Sequence, residues 1–175
     1  MEYDLQYIEC MHNEYSETAQ LINQIRWNFV KEVSPRMVLN YGCGCNFLAK
    51  CAPEGVVVDS FDVAPCEQTG IRHDEYDIIF LNDVLEHIDW EDAPDAQIEN
   101  VLGHTHYVMV TVPILPEGQN LEKWKHYKPG EHLTYFTEGS LDAFFEQRGF
   151  EKVKSSYAEC PPRKDILSVL YRKVE

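Results

Sequence analysis

Val38-Leu39-Asn40-Tyr41-Gly42-Cys43-Gly44 is a short apolar run that opens into two glycines one residue apart. It reads as a strand that meets a turn lacking a Cβ at two points, so a ligand can approach the backbone N–H groups closely. In a parallel sheet such a turn falls at the carboxyl end of a strand, where open α/β folds bind their ligands. Twenty residues after Gly42 stands Asp62, which ends a second apolar run, Val56-Val57-Val58-Asp59-Ser60-Phe61. A carboxylate at the tip of the neighbouring strand can accept both hydroxyls of a ribose. Asp59 is a rival within that run, but Asp62 lies at its end and just before Pro65.

The periodicity around this unit extends the pattern. Leu21, Ile22, Ile25, Phe29 and Val30 recur at helical spacing and predict a helix over 16–33, capped by Ser16 and ended by Pro35. Strands are expected at 37–41, 56–61, 76–81 and 107–112, and two more near 150–157 and 166–172. A short helix is expected at 46–52, closed by Pro53 and Gly55. Another covers 91–102, with Pro94 near its first turn and Gly103 beyond its end. Thr137 should cap a helix whose Leu141, Phe144 and Phe145 form one stripe and which Gly149 ends. The run from Tyr76 to Leu81 is nearly all apolar, as a central parallel strand must be. The alternation of strands and helices predicts an α/β class. The sheet is expected to be Rossmann-like, doubly wound and mostly parallel, with an antiparallel edge strand at the end of the chain.

Composition narrows the setting. The 175 residues suffice for one core, and no run of 18 apolar residues signals a membrane span. The start of the chain lacks a basic region followed by an apolar one, so no signal peptide is expected. Six cysteines without a secretory signal read as reduced thiols in a cytoplasmic protein. Cys43-x-Cys45 is not a zinc spacing, and no second pair answers it, so no metal site is expected. A net charge of −15 repels phosphate backbones and anionic membranes, which argues against both as partners. The densest basic stretch is Lys123-Trp124-Lys125-His126-Tyr127-Lys128, inside a long loop at 113–136. Loops of that length in compact domains usually serve a function.

Three further segments carry a resemblance. They are Asn82-Asp83-Val84-Leu85-Glu86-His87-Ile88, then Glu131-His132-Leu133-Thr134-Tyr135-Phe136-Thr137, then Ser140-Leu141 with Arg148-Gly149-Phe150. With the glycine turn and Asp62, in this order, the chain resembles the class I S-adenosylmethionine-dependent methyltransferases that act on small molecules. The match runs from 36 to 172. It implies one domain over 1–175: a helical segment at 1–35, a cofactor-binding half at 36–112, an acceptor loop at 113–136, and a terminal helix and two strands at 137–175. It implies S-adenosylmethionine as cofactor, held by Asn40, Tyr41, Gly42, Cys43 and Gly44, by Asp62 and Val63, and by Asn82 and Asp83. Methyl transfer would go to an oxygen or nitrogen of a polar small molecule. Trp124, His126 and Tyr127 would line the acceptor pocket. His132 would be a general base, an acceptor contact or a loop anchor, and His87 a packing or capping residue.

The chain departs from the pattern at three places. Asn40 stands where the family usually carries an acid, and Asn46 where a third glycine is common. Only residues 66–75 separate the second strand from the strand at 76, where the family fits a helix and another strand. A crossover with a helix needs about a dozen residues. The chain must travel roughly 20 Å to return past one strand and move sideways two. Ten extended residues reach about 33 Å and ten helical ones about 15 Å. The link is therefore expected to be extended, and the usual third strand absent. These departures keep an alternative open: a methyltransferase-like binding or scaffold module with a degraded cofactor site. Nicotinamide-dependent redox is disfavoured, because the turn lacks its third glycine.

Overall fold

The computed structural model describes the backbone of residues 5–63, 68–157 and 165–174, and side chains from Glu17 onward. The elements in chain order are α1 (Leu5–Phe29), β1 (Met37–Tyr41), α2 (Phe47–Lys50), β2 (Val57–Phe61), β3 (Tyr76–Asn82), α3 (Ala96–Gly103), β4 (Thr105–Pro113), α4 (Glu138–Glu146), β5 (Phe150–Ser156) and β6 (Ile166–Lys173). Turns of 3₁₀ helix cover Lys31–Val33, Leu85–His87 and Leu121–Lys123. The six strands lie in the order β2-β1-β3-β4-β6-β5. β1 pairs in parallel with β2 and β3, and β3 with β4, while β6 runs antiparallel to both β4 and β5. This is the expected mostly parallel, Rossmann-like sheet with an antiparallel edge.

Alternate residues of the strands feed two cores, as the two-residue strand period requires. Leu39, Tyr41, Ile79, Leu81, Val108 and Val110 pack with Ile98, Val101 and Leu102 of α3 and with Leu141 and Phe145 of α4. Val38, Ile78, Phe80 and Met109 point the other way, against Trp27, Val30 and Leu48. Helices thus cover both faces. No helix among the described residues is long and apolar enough to cross a membrane.

Two helix starts differ from the sequence reading. α1 begins by Leu5, so Ser16 lies inside the helix and does not cap it. α3 starts at Ala96, because the Asp95 carboxylate accepts the Gln97 and Ile98 N–H groups at 2.8 and 3.1 Å. That cap outcompetes a start at 91, and Pro94 is left outside the helix. Thr137 caps α4 as expected, in a reciprocal capping box with Ser140.

No strand lies between β2 and β3 among the described residues, and β2 forms the sheet edge. Cys66, with the rest of 64–67, lies outside them. The remainder of the link partly replaces the missing neighbour. Ser60 receives Thr69 and Gly70 N–H on its carbonyl, both at 2.9 Å, and donates its own N–H to Thr69 Oγ1 at 2.8 Å. Deeper in the strand, Asp59 is 2 % exposed. Its Oδ2 accepts the Tyr76 hydroxyl at 2.7 Å, His73 Nδ1–H at 2.8 Å and Arg72 N–H at 2.9 Å. Asp59 therefore anchors the link and is not available to a ribose. Burial raises its pKa, but these three hydrogen bonds outweigh burial and hold it below the ordinary carboxylate value.

Asp59→Asn should lower unfolding free energy at neutral pH by about 1.5–3 kcal/mol, the usual worth of hydrogen bonds to a charged group. A depressed folded pKa contributes stability above the unfolded value of about 3.9 and loses it as pH falls through the folded value. The gap between wild type and variant in urea midpoint should therefore narrow as pH falls below about 5. A gap that is constant with pH would show that the ionised carboxylate does not anchor the link.

Candidate functional site

β2 and β3 flank β1 on opposite sides, so the crevice beyond β1 and β3 is the sheet's switch point, where open α/β sheets bind ligands. Gly42 sits there with φ +73°, and a Cβ on it would lie 2.4 Å from Val84 Cγ2. Glycine is thus required on two counts, conformation and contact. Nothing stands within 4 Å of the position a Cβ would take on Gly44. The N–H groups of the turn, expected to face a ligand, are used internally. Those of Gly42 and Cys43 donate to Phe61 O at 2.8 and 3.0 Å, and that of Gly44 donates to Asp62 Oδ2 at 2.8 Å. The last bond pins the Asp62 carboxylate beside the glycine turn. Val63 next to it is 80 % exposed.

The two asparagine departures meet each other. Asn46 takes the left-handed conformation, φ +56°, that a third glycine would supply, and Asn is among the residues that tolerate it. Its Oδ1 accepts from Ser60 Oγ at 2.8 Å and from Asn40 Nδ2 at 3.4 Å. Asn40, buried at the end of β1, is so held by neutral hydrogen bonds. Tyr41 points to the opposite face. Its hydroxyl donates towards Asp95 and Gln97, at 3.0 and 3.1 Å, and burial followed by Asp95 raises its pKa strongly. Its side chain therefore ties β1 to α3, and only its backbone borders the turn. Cys43 is buried, and Cys45 and Cys51 are partly so.

On the other lip, Asn82 Oδ1 accepts from Thr111 Oγ1 at 2.6 Å. Asp83 has φ +55° and its N–H donates to Thr111 O at 2.8 Å. Its Oδ2 meets Arg26 Nη2 at 3.1 Å. Arg26 belongs to α1, which Trp27 seats by donating Nε1–H to Leu48 O at 2.9 Å. The ion pair brings α1 to the rim of the crevice. No sequence signal marked Arg26, since helical spacing gives a face but not a partner across the fold.

The 113–136 loop is tied to the same rim. Leu133 and Thr134 N–H both donate to Glu86 O, at 2.7 and 3.1 Å, and Thr134 Oγ1 donates to Ile88 O at 2.6 Å. This sets the buried His132 ring edge-on to His87, centroids 4.9 Å apart, next to the buried Glu86. Ligating atoms of Glu86, His87 and His132 all fall within 4.8 Å of one another. Burial, then His87 and Lys128, lowers the His132 pKa against the opposing pull of Glu131. Burial thus favours the neutral form of the ring over the charged one.

The remaining loop residues form an aromatic cluster. Trp124 lies 5.1 Å from His126 and 6.2 Å from Tyr135, and Tyr127 lies 5.7 Å from Tyr135. Trp124 is buried, and its Nε1–H has no hydrogen-bond partner among the described residues. His126 Nε2 and Lys125 Nζ meet Asp165 at 2.8 and 2.6 Å, and Lys128 meets Glu131 at 2.9 Å. The basic stretch is thus largely neutralised by its own carboxylates, contrary to its appearance in sequence.

Comparison with known proteins bears on this arrangement. A profile of the methyltransferase domain family matches residues 12–155. No curated protein matches the sequence. Among solved structures, magnesium protoporphyrin IX methyltransferase from Synechocystis PCC 6803 with bound SAH is similar at 17 % identity and a TM-score of 0.64. The match covers 90 % of this chain and 84 % of that one. The 1,6-didemethyltoxoflavin-N1-methyltransferase of Burkholderia thailandensis, with 1,6-didemethyltoxoflavin and S-adenosylhomocysteine bound, is similar at 14 % identity and a TM-score of 0.62. There 97 % of this chain and 86 % of that one are covered. At such identities the likeness concerns the fold.

Gly42→Ala should destabilise the protein by about 1–3 kcal/mol through overpacking, with backbone strain in addition. Val84→Ala in the same chain should return part of that loss, because it removes the methyl group that the new Cβ would meet. Urea unfolding of the single and double variants checks this. Strict additivity would mean that the two residues do not press on each other.

Proposed function

The chain belongs to the methyltransferase domain family, and on that premise we propose that it transfers the methyl group of S-adenosylmethionine to a polar small molecule, at oxygen or nitrogen. The observation that carries the reading is Asp62 pinned by the Gly44 N–H beside open space at the switch point. These residues fit the cofactor. Asp62 would accept the ribose hydroxyls, with Val63 beside it. Asn40 and the turn at Tyr41, Gly42, Cys43 and Gly44 would border the methionine end, and Asn82 and Asp83 the far lip. The cofactor supplies an activated methyl group with a neutral thioether as leaving group.

The protein's part is then to hold the acceptor atom in line and to keep water out. The 113–136 loop suits that task, because Glu86 fastens it to the rim of β3. Trp124 has an N–H to offer a polar acceptor, with Tyr127 beside it, whereas His126 is engaged by Asp165. His132, buried beside the rim, would contact the acceptor or take its proton.

Thermal melting with and without S-adenosylhomocysteine tests the proposal. A ligand that binds only the folded state raises the midpoint with concentration. Asp62→Ala should keep a cooperative transition and weaken binding by calorimetry roughly ten- to a hundredfold, from loss of about 1.5–3 kcal/mol. No shift with the wild-type protein would leave the scaffold-module reading in its place.

A further inference from the structure

We propose that Glu86, His87 and His132 bind a divalent first-row transition ion, which takes an oxygen of the acceptor as a further ligand. The site's second half, its use of the acceptor, rests on the methyl-transfer reading above; the ion site itself does not. One carboxylate and two imidazoles form a set that suits zinc, iron, cobalt or manganese. Magnesium and calcium prefer all-oxygen shells and are disfavoured by the two nitrogens.

Four observations support the site. First, the ligating atoms lie within 4.8 Å of one another. Two donors at about 2.1 Å from one ion sit about 3–4 Å apart, so closing the shell takes shifts of about an ångström. Second, His87 Nδ1–H donates to the Glu131 carbonyl at 3.0 Å. That bond puts the proton on Nδ1 and the lone pair on Nε2, and a second hydrogen bond of this kind is usual for a metal-binding histidine. Third, the His132 ring is 6 % exposed and its centroid lies 4.9 Å from that of His87, so an ion held there would be shielded from water. Fourth, the two halves are joined by backbone: Leu133 and Thr134 N–H hold the Glu86 carbonyl, so the ligands do not depend on side-chain packing to meet.

Three protein ligands leave at least one position open. Glu86 and His87 follow β3, two and three residues beyond Val84, which packs against the turn at Gly42. An acceptor oxygen at the open position would face the same crevice. Coordination lowers the pKa of such a hydroxyl. With His132 on the ion and no longer the base, the acceptor O–H loses its proton to bulk water before the loop excludes it; its oxygen then forms the new bond to the methyl carbon, and the C–S bond breaks with its electron pair on sulfur. No oxidant or reductant is needed.

Cobalt(II) is the probe. The full chain, stripped with a chelator and dialysed, is titrated with cobalt while visible absorption and calorimetric heat are recorded. One saturable equivalent with visible d–d bands is expected. Glu86→Gln and His132→Asn should each weaken it at least about tenfold. His106→Ala, on an exposed residue of β4, should leave it unchanged. Melting without metal shows whether each variant is folded. Absence of saturable binding by the wild type overturns the proposal. So does equal binding by folded Glu86→Gln and His132→Asn, or a near-ultraviolet thiolate-to-cobalt band, which would assign the ion to the cysteines. Binding of cobalt without any shift by S-adenosylhomocysteine would uphold the ion site and remove the methyl-transfer reading. A shift by S-adenosylhomocysteine without cobalt binding would do the reverse.

Discussion

The contact between Gly42 and Val84 is the constraint on which the rim of this sheet depends. With no Cβ on Gly42, the turn after β1 and the turn after β3 close to within van der Waals reach at the switch point. That approach sets where the chain goes next. Asp83 is forced into a left-handed conformation and faces Arg26. The 3₁₀ turn Leu85–His87 follows, and its Glu86 carbonyl becomes the peg on which residues 133 and 134 hang. A non-glycine residue at one position would thus disturb groups that lie on α1, β3 and a loop ninety residues further on.

The short link between β2 and β3 shows how a sheet that lacks a strand can cover part of the edge this leaves. An unpaired edge is a template for association with other chains. Here Thr69 and Gly70 cover the Ser60 carbonyl, and Thr69 Oγ1 covers its N–H. Asp59 then gathers two donors from Arg72 and His73 of the link and a third from Tyr76 at the start of β3. The chain replaces a strand's ladder by one residue's worth of backbone pairing and a buried carboxylate.

Much of the architecture was legible in the residues, and what was not has a physical reason. Apolar runs ended by glycine or acid located β1, β2 and β3, because buried parallel strands admit little else. The ten-residue link foretold the missing strand by reach alone. Thr137 announced its cap because the capping box is local. The start of α1 was not legible, since the apolar spacing shows a buried face and α1 extends beyond it. In the candidate site, the glycine turn and Asp62 were readable from spacing, although the use of the turn's N–H groups by Phe61 and Asp62 was not. Asp59 and Asp62 differ by three residues and by pleat, and only burial separates an anchor from a rim acid. Glu86, His87 and His132 could not be joined in advance. Forty-five residues separate His87 from His132, and two backbone hydrogen bonds from their neighbours, Leu133 and Thr134 to Glu86, bring them together.

β6 lies between β4 and β5, antiparallel to both. During synthesis, β4 therefore emerges with one flank bare, and β5 emerges before the strand that will join it to the sheet. Until residues 166–173 arrive, Val108, Val110 and Val112 offer an unpaired apolar border to whatever is near. Such late, long-range pairing is slow to form and prone to capture by other chains. The order in which this polypeptide leaves the ribosome thus leaves a window in which a chaperone or a slowed translation rate would decide its yield.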